Sequence, residues 1–291
     1  MTRLIATVAT VPIGLQDFMR EVEHTVRPED LDSVAAAAPL LGRLAADREL
    51  VLRHLNPRLA NYFNDKSTAS AQSIPLGAAN GCTLRANVWP TEEDLRAGRM
   101  VQLAQPYFLA QDQASHLLSA GFYGPGYQLD TFRYDEASVV GYAGEPVRLH
   151  ALESTSVAIG RAVLVAAGEV MVRRPPPALS ITLDLLVPAA QRGERRQFDL
   201  VRGELQHRAG TPQAIRASIV QLASAVGDDT TAELLLRLSR EHSCPRTRLA
   251  AFQALTRLRP ADAAETWRRA AADPAPLVQR AAAAHVSART A

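Results

Sequence analysis

The chain has 291 residues, 47% hydrophobic and 21% charged, which is ordinary for a soluble globular protein of one large domain or two modest ones. No apolar run approaches the ~20 residues that a bilayer-spanning helix needs, so no membrane role is expected. The net charge of +2 balances 32 basic against 30 acidic residues, and the basic residues are nearly all Arg, with Lys66 the single lysine. Arg suits phosphate recognition. The densest basic spots, "RRPPP" and "QRGERRQF", have no interleaved aromatics, however, so GC-rich coding explains the bias better and nucleic acid is not expected as a partner. Cys82 and Cys244 stand far apart without CxxC spacing, which excludes a disulfide framework and a zinc ribbon. A reducing, cytoplasmic compartment fits, because "MTRLIATVATVPIGL" lacks a small-x-small cleavage site and runs into an acidic, helix-like segment.

Residues 1–66 read as a helical region. "GLQDFMREVEHTV" puts Leu15, Phe18, Met19 and Val22 on one face, and "RPEDLDSVAAAAPLLGRLAADRELVLRHL" follows, with Pro28 and Pro39 at helix starts or breaks. The region reads as a cap packed on another element. His24 and His54 within it read as solvated or hydrogen-bonded residues.

Residues 67–208 change period. Short runs alternate with turn signals at roughly ten-residue spacing, the pattern of a sandwich or barrel. The runs are "SAQSIPLG", "CTLRANVW", "PYFLAQDQ", "HLLSAGFY", "YQLDTFRYD", "PVRLHALES", "RAVLVAA", "EVMVRR", "LSITLDLLV", "RQFDLV" and "GELQHR". A jelly-roll, cupin-type β-barrel fits this order better than a parallel α/β sheet. The overall class is therefore α+β and multidomain.

Residues 209–291 are helical and repeat. "TPQAIRASIVQLASAVG", "CPRTRLAAFQALTRL" and "APLVQRAAAAHVSA" superpose, with Arg216, Arg248 and Arg280 falling 32 residues apart. Each follows a proline (Pro212, Pro245, Pro276) by three or four residues, where a first-turn proline costs the helix nothing. "TTAELLLRLSREH" and "ADAAETWRRAAAD" lie between them. A two-helix repeat of this length marks an α-solenoid. "CPRTRLAAFQAL" and "DPAPLVQRAAAAHV" resemble HEAT repeats over roughly 80 residues, about two and a half repeats. The repeat arginines read as structural. Asp228, Asp229, Glu233, Glu241, Asp262, Glu265 and Asp273 dilute any positive stripe.

The middle region carries "QDQAS", "GFYGPGYQLDTFRYD", "GYAGEPVRLHALEST", "GEVMV" and "LSITLDLLVP" in that order. Over roughly 85 residues, from Tyr107 to Pro188, it resembles a bacterial group of cupin-type barrels with the pattern HDHNF, GPGY, GY.GE.V, RDVH. On a strand, residues i and i+2 share a face, so His-x-His there delivers two imidazoles inward and a third His completes a facial set with open positions. The resemblance places that first pair on Gln111 and Gln113 and the third ligand on Met171. All three depart from the pattern. Two neutral amides and a thioether are a poor set for Fe(II), Mn(II) or Zn(II), so no metal cofactor is expected.

Other residues offer partial replacements. His116 has the opposite parity to the glutamines, and only a bulge would turn it inward. His150 and Glu153 sit three apart, on opposite faces of a regular strand. Asp112, Glu169 and Asp184 read as satisfied polar residues at a barrel mouth or surface. The glycines of "GFYGPGY" join two strands and serve positive φ in a tight turn; the loop opens no helix and cradles no phosphate. Tyr107, Tyr123, Tyr127 and Tyr134 read as packing residues with their hydroxyls satisfied at the rim.

Two functions remain. The first is a metal-free, cupin-like accessory subunit whose HEAT-like repeats bind a protein partner. The resemblance makes that partner a metal-bearing relative in a bacterial biosynthetic pathway, and leaves homo-oligomers open. The second is an enzyme. One form is an Fe(II) oxygenase using ligands such as His116 and His150. The other is a metal-independent cyclase or isomerase whose cavity offers Gln111, Gln113, His150 and Tyr127, with the amides orienting a carbonyl and His150 or a carboxylate moving protons.

Overall fold

The computed structural model describes residues 1–7, 11–60, 72–99, 107–189, 195–206, 219–220 and 222–287. The chain divides into two compact units, Met1–Glu136 with Arg148–Gly203, and Ala137–Val147 with Glu204–Ala291.

The first unit is two antiparallel sheets with helices on one of them. Its strands are β1 (Arg3–Ala6), β2 (Ser73–Ala79), β3 (Cys82–Trp89), β4 (Ala110–Asp112), β5 (His116–Tyr123), β6 (Gln128–Arg133), β7 (His150–Ser156), β8 (Arg161–Val165), β9 (Val170–Arg174), β10 (Ser180–Val187) and β11 (Gln197–Asp199). One sheet runs β1-β8-β5-β10-β3-β2; the other contains β11-β4-β9-β6-β7. Among the described residues no strand pairing closes the two into one barrel, so the expected barrel is an open two-sheet arrangement.

Residue parity divides the first sheet. Leu84, Ala86, Leu118, Ala120, Phe122, Ala162, Leu164, Leu183 and Leu185 face the N-terminal helices and form one core with them. These helices are α1 (Leu15–Thr25), α2 (Leu31–Ala36), α3 (Ala38–Ala45) and α4 (Leu50–Ala60). In α1, Phe18 and Val22 are one turn apart and fully buried, and each contributes about 1.5–3 kcal/mol on burial. Asp30 caps α2 by accepting from Asp32 N at 2.9 Å, and Pro39 sits in the first turn of α3. The region expected to be wholly helical also holds a strand: "RLIA" pairs with β8 from Arg3↔Leu164 to Ala6↔Arg161. Four residues give too little periodicity to show this; the open edge of β8 decides it. A short helix, α5 (Glu92–Arg96), was also not expected; a capping box between Thr91 and Asp94 starts it.

The second unit contains β12 (Glu204–Gln206) and helices α6 (Asp229–Glu241), α7 (Pro245–Leu258), α8 (Ala263–Ala271) and α9 (Pro276–Ser287). Residues 219–220 and 222–226 are helical as well. The first of the three superposed segments lies partly outside the described residues, including Arg216. Val220, Ala232, Leu235, Ala250, Ala254 and Leu255 make one core; Phe252, Trp267, Ala270, Val278 and Ala282 make the next. The two runs share α7, so the helices stack in chain order. The segment Ala137–Val147 pairs with β12: Gly144 N donates to Leu205 O and Leu205 N to Glu145 O, each at 2.8 Å. Glu145, buried, accepts from Val140 N at 2.7 Å and Gly141 N at 2.6 Å, and so folds "GYAGE" on itself.

Candidate functional site

The inter-sheet side of the first unit holds the residues of interest. Gln111 in β4 is directly opposite Met171 in β9, and residues in register on neighbouring strands share a face. Gln111 and Gln113 are 3% exposed and Met171 is fully buried among Trp89, Leu117, Tyr127, Leu129, Val157, Val163 and Val165. Gln113 Nε2 has no hydrogen-bond partner among the described residues. The strand pairing thus brings two of the three would-be ligand positions together, carrying an amide and a thioether. This donor set does not fit Fe(II), Mn(II) or Zn(II): a neutral amide oxygen is weak, and a thioether prefers softer ions.

The replacement candidates do not join them. His116 opens β5, and its Nδ1 accepts from Ala167 N at 3.0 Å. His150 is exposed at the start of β7, whereas Tyr127 is fully buried. The expectation that His150 and Glu153 point to opposite faces is corrected: the register shifts between Thr131 and Phe132, so Arg133↔His150 and Thr131↔Glu153 put both on one face. That face belongs to an edge strand, and both residues are exposed there. Among the described residues no three His, Cys, Asp or Glu side chains gather.

The acids expected at a mouth or surface are all buried. Asp112 accepts from Arg196 N at 2.7 Å and from the Tyr134 hydroxyl at 2.9 Å. Glu169 accepts from Thr2 N at 2.8 Å and Ala166 N at 3.0 Å. Asp184 lies deepest. It accepts from Asn87 Nδ2 at 2.6 Å and the Ser119 hydroxyl at 2.5 Å, on the face opposite the helices. Burial pushes its carboxyl above the usual range, and these two hydrogen bonds oppose that shift only in part.

Beside Asp184 stands an aromatic pair, Trp89 and Tyr127, with ring centroids 4.1 Å apart. Trp89 Nε1 donates to Thr182 Oγ1 at 2.9 Å. Burial pushes the Tyr127 hydroxyl up to about 12, and the Asp184 charge adds to the shift. Ser119 and Arg173 favour its phenolate, but neither completes a well-formed hydrogen bond with Tyr127 Oη, which is left without a partner. The Arg173 guanidinium lies 5.6 Å from the Trp89 ring and 6.0 Å from the Tyr127 ring and is 4% exposed. Asn87 Oδ1 also lacks a partner. Sequence reading missed Arg173 because "RRPPP" reads as a strand end. The signal was its parity with Met171, two residues earlier on the same strand.

No family model matches this chain, and no curated protein matches it. Three solved structures are similar in part. A hydroquinone 1,2-dioxygenase, PnpCD, solved with Cd2+ and 4-hydroxybenzonitrile, matches at 11% identity and a TM-score of 0.27, over 43% of this chain and 68% of its own. A salicylate 1,2-dioxygenase from Pseudoaminobacter salicylatoxidans with gentisate matches at 8% identity and a TM-score of 0.26, over 48% of this chain and 31% of its own. A dTDP-4-dehydrorhamnose 3,5-epimerase from Elizabethkingia anophelis matches at 10% identity and a TM-score of 0.24, over 50% of this chain and 90% of its own. No described helix is long and apolar enough to cross a membrane.

Proposed function

We propose that this chain is a metal-free, cupin-like accessory subunit, in which the two-sheet unit is a binding scaffold and the HEAT-like helices dock a protein partner. The observation that carries it is the register Gln111↔Met171, which fills two buried would-be ligand positions with groups that are poor ligands for Fe(II), Mn(II) or Zn(II). Support for a protein partner comes from the helical unit. Ile219 and Leu234 line a groove and are each more than 60% exposed, and Arg237 and Glu241, which also line it, pair with each other at 2.8 Å. An uncharged apolar groove of this kind suits a partner with an apolar docking surface. The proposed partner is a metal-bearing relative of the two-sheet unit.

Metal content is the test. Purified protein is incubated with Fe(II), Mn(II) and Zn(II), desalted and measured by elemental mass spectrometry. Retention near one ion per chain sinks the reading; retention near zero supports it. The partner half is tested by co-expression with a metal-bearing relative and by light scattering, comparing wild type with Leu234→Asp. A complex that survives Leu234→Asp unchanged counts against this groove.

One observation favours a second reading, a metal-independent enzyme. The buried Asp184 carboxyl and the Tyr127 hydroxyl lie on one polar face with shifted proton affinities, which is how acid–base groups are tuned. A ligand for that face is the necessary first step.

A further inference from the structure

Arg173 is the least explained group in the molecule. It is 4% exposed, and the groups its charge reaches are the Tyr127 hydroxyl and the Asp184 carboxyl. Its Nε is buried without a partner. The Trp89 and Tyr127 rings approach it at 5.6 and 6.0 Å, but a ring stack engages the face of a guanidinium and leaves the in-plane N–H groups unsatisfied. Those N–H groups form a fixed fork that matches two oxygens of a carboxylate. Buried polar groups are nearly always paired, so a cluster of unpaired ones marks a missing acceptor. Tyr127 Oη, also buried and unpartnered, is a second donor toward the same interior.

We propose that the interior of the two-sheet unit binds a small carboxylate, held by the Arg173 guanidinium and the Tyr127 hydroxyl beside the Trp89 ring. A monoanion is favoured over a dianion such as phosphate, since Asp184 lies within electrostatic reach of both Arg173 and Tyr127 and opposes a second negative charge. The proposal does not depend on the metal-free reading: metal content and carboxylate binding are separate readouts.

The test uses the full chain, dialysed into carboxylate-free buffer. Trp89 and Trp267 are its two tryptophans, so a Trp267→Phe background makes Trp89 the reporter. Acetate is titrated at constant ionic strength, with acetamide as the neutral isostere and phosphate as the dianion. The expected result is a saturable fluorescence change with acetate, at least about tenfold weaker with acetamide and with phosphate, as the loss of one charge-assisted contact implies. Arg173→Gln abolishes the change and Tyr127→Phe weakens it about tenfold. Where Arg173→Gln fails to fold, the comparison of acetate with acetamide in the reporter background, together with Tyr127→Phe, still decides. The proposal is overturned by no saturable change with acetate, by acetamide or phosphate binding as well as acetate, or by a folded Arg173→Gln that binds acetate unchanged.

Discussion

Arg248 grips Asp273 with two parallel hydrogen bonds, Nε to Oδ2 and Nη2 to Oδ1, each 2.8 Å long and both buried. The same guanidinium donates through Nη1 to His242 O at 2.8 Å and Ser243 O at 3.1 Å, while Asp273 Oδ1 accepts from Ala275 N at 2.8 Å. One side chain therefore ties the turn before α7 to the turn before α9. Arg280, 32 residues later, is exposed and lies 3.8 Å over the Tyr142 ring instead, so the spacing repeats while the environment does not. Removing one partner of a buried pair leaves the other uncompensated. Arg248→Ala is expected to destabilise the helical unit by about 3–5 kcal/mol, and Arg248→Met with Asp273→Leu by clearly less. Denaturant unfolding monitored at Trp267 measures both.

Two buried aspartates give opposite pH dependences. The Arg248 hydrogen bonds hold the Asp273 carboxyl below its usual range. Its contribution is therefore fully present above the unfolded value of about 3.9 and is lost as pH falls through the lower folded value. Asp184 is raised by burial, so its contribution is fully present below about 3.9 and is lost as pH rises through the higher folded value. Asp184→Asn should gain on wild type as pH climbs above about 4, and Asp273→Asn should lose its deficit as pH falls below about 4. Unfolding free energies across that range, read separately for each variant, check the two signs.

The turn between β5 and β6 depends on glycine for two reasons at once. Gly126 has φ +80°, and a Cβ added there would stand 2.1 Å from Val157 O. Gly144 has φ +78° but nothing within 4 Å of its added Cβ. Gly144→Ala is thus expected to cost only the left-handed penalty, about 1–2 kcal/mol. Gly126→Ala must also move backbone and should cost at least about 3 kcal/mol more, at the severe end for single substitutions. Loss of the near-ultraviolet dichroism of the Trp89–Tyr127 pair would accompany it.

Strand positions were legible because they depend on local period and turn residues: all eleven expected runs contain strands. "RLIA" was not, because only a distant edge makes it a strand. The pairing of Gln111 with Met171 was beyond reach of alternation, because it depends on which strand β4 lies beside. So was the shared face of His150 and Glu153, since a bulge created by pairing with β6 sets it. The burial of Asp184 and of Arg173 was invisible because both depend on what lies across the gap between two sheets, and sequence order says nothing about that neighbour.

Reinstating imidazoles tests whether only side-chain chemistry separates this interior from a metal site. Gln111 and Met171 are in register, so two of the three backbone positions already face one another, and Gln113 follows two residues along the chain. Gln111→His with Gln113→His and Met171→His is expected to retain close to one Zn(II) per chain after desalting, while wild type retains almost none. Gln111→His alone should resemble wild type, because a single neutral imidazole beside one amide and one thioether does not hold the ion. Replacing the fully buried Met171 removes apolar packing, so the triple variant should lose about 1–3 kcal/mol without metal and regain stability when zinc is added. Elemental analysis and melting with and without zinc give both readouts. A folded triple variant that takes up no zinc would show that these positions do not form a ligand set, and the comparison with a lost metal site would fail with it.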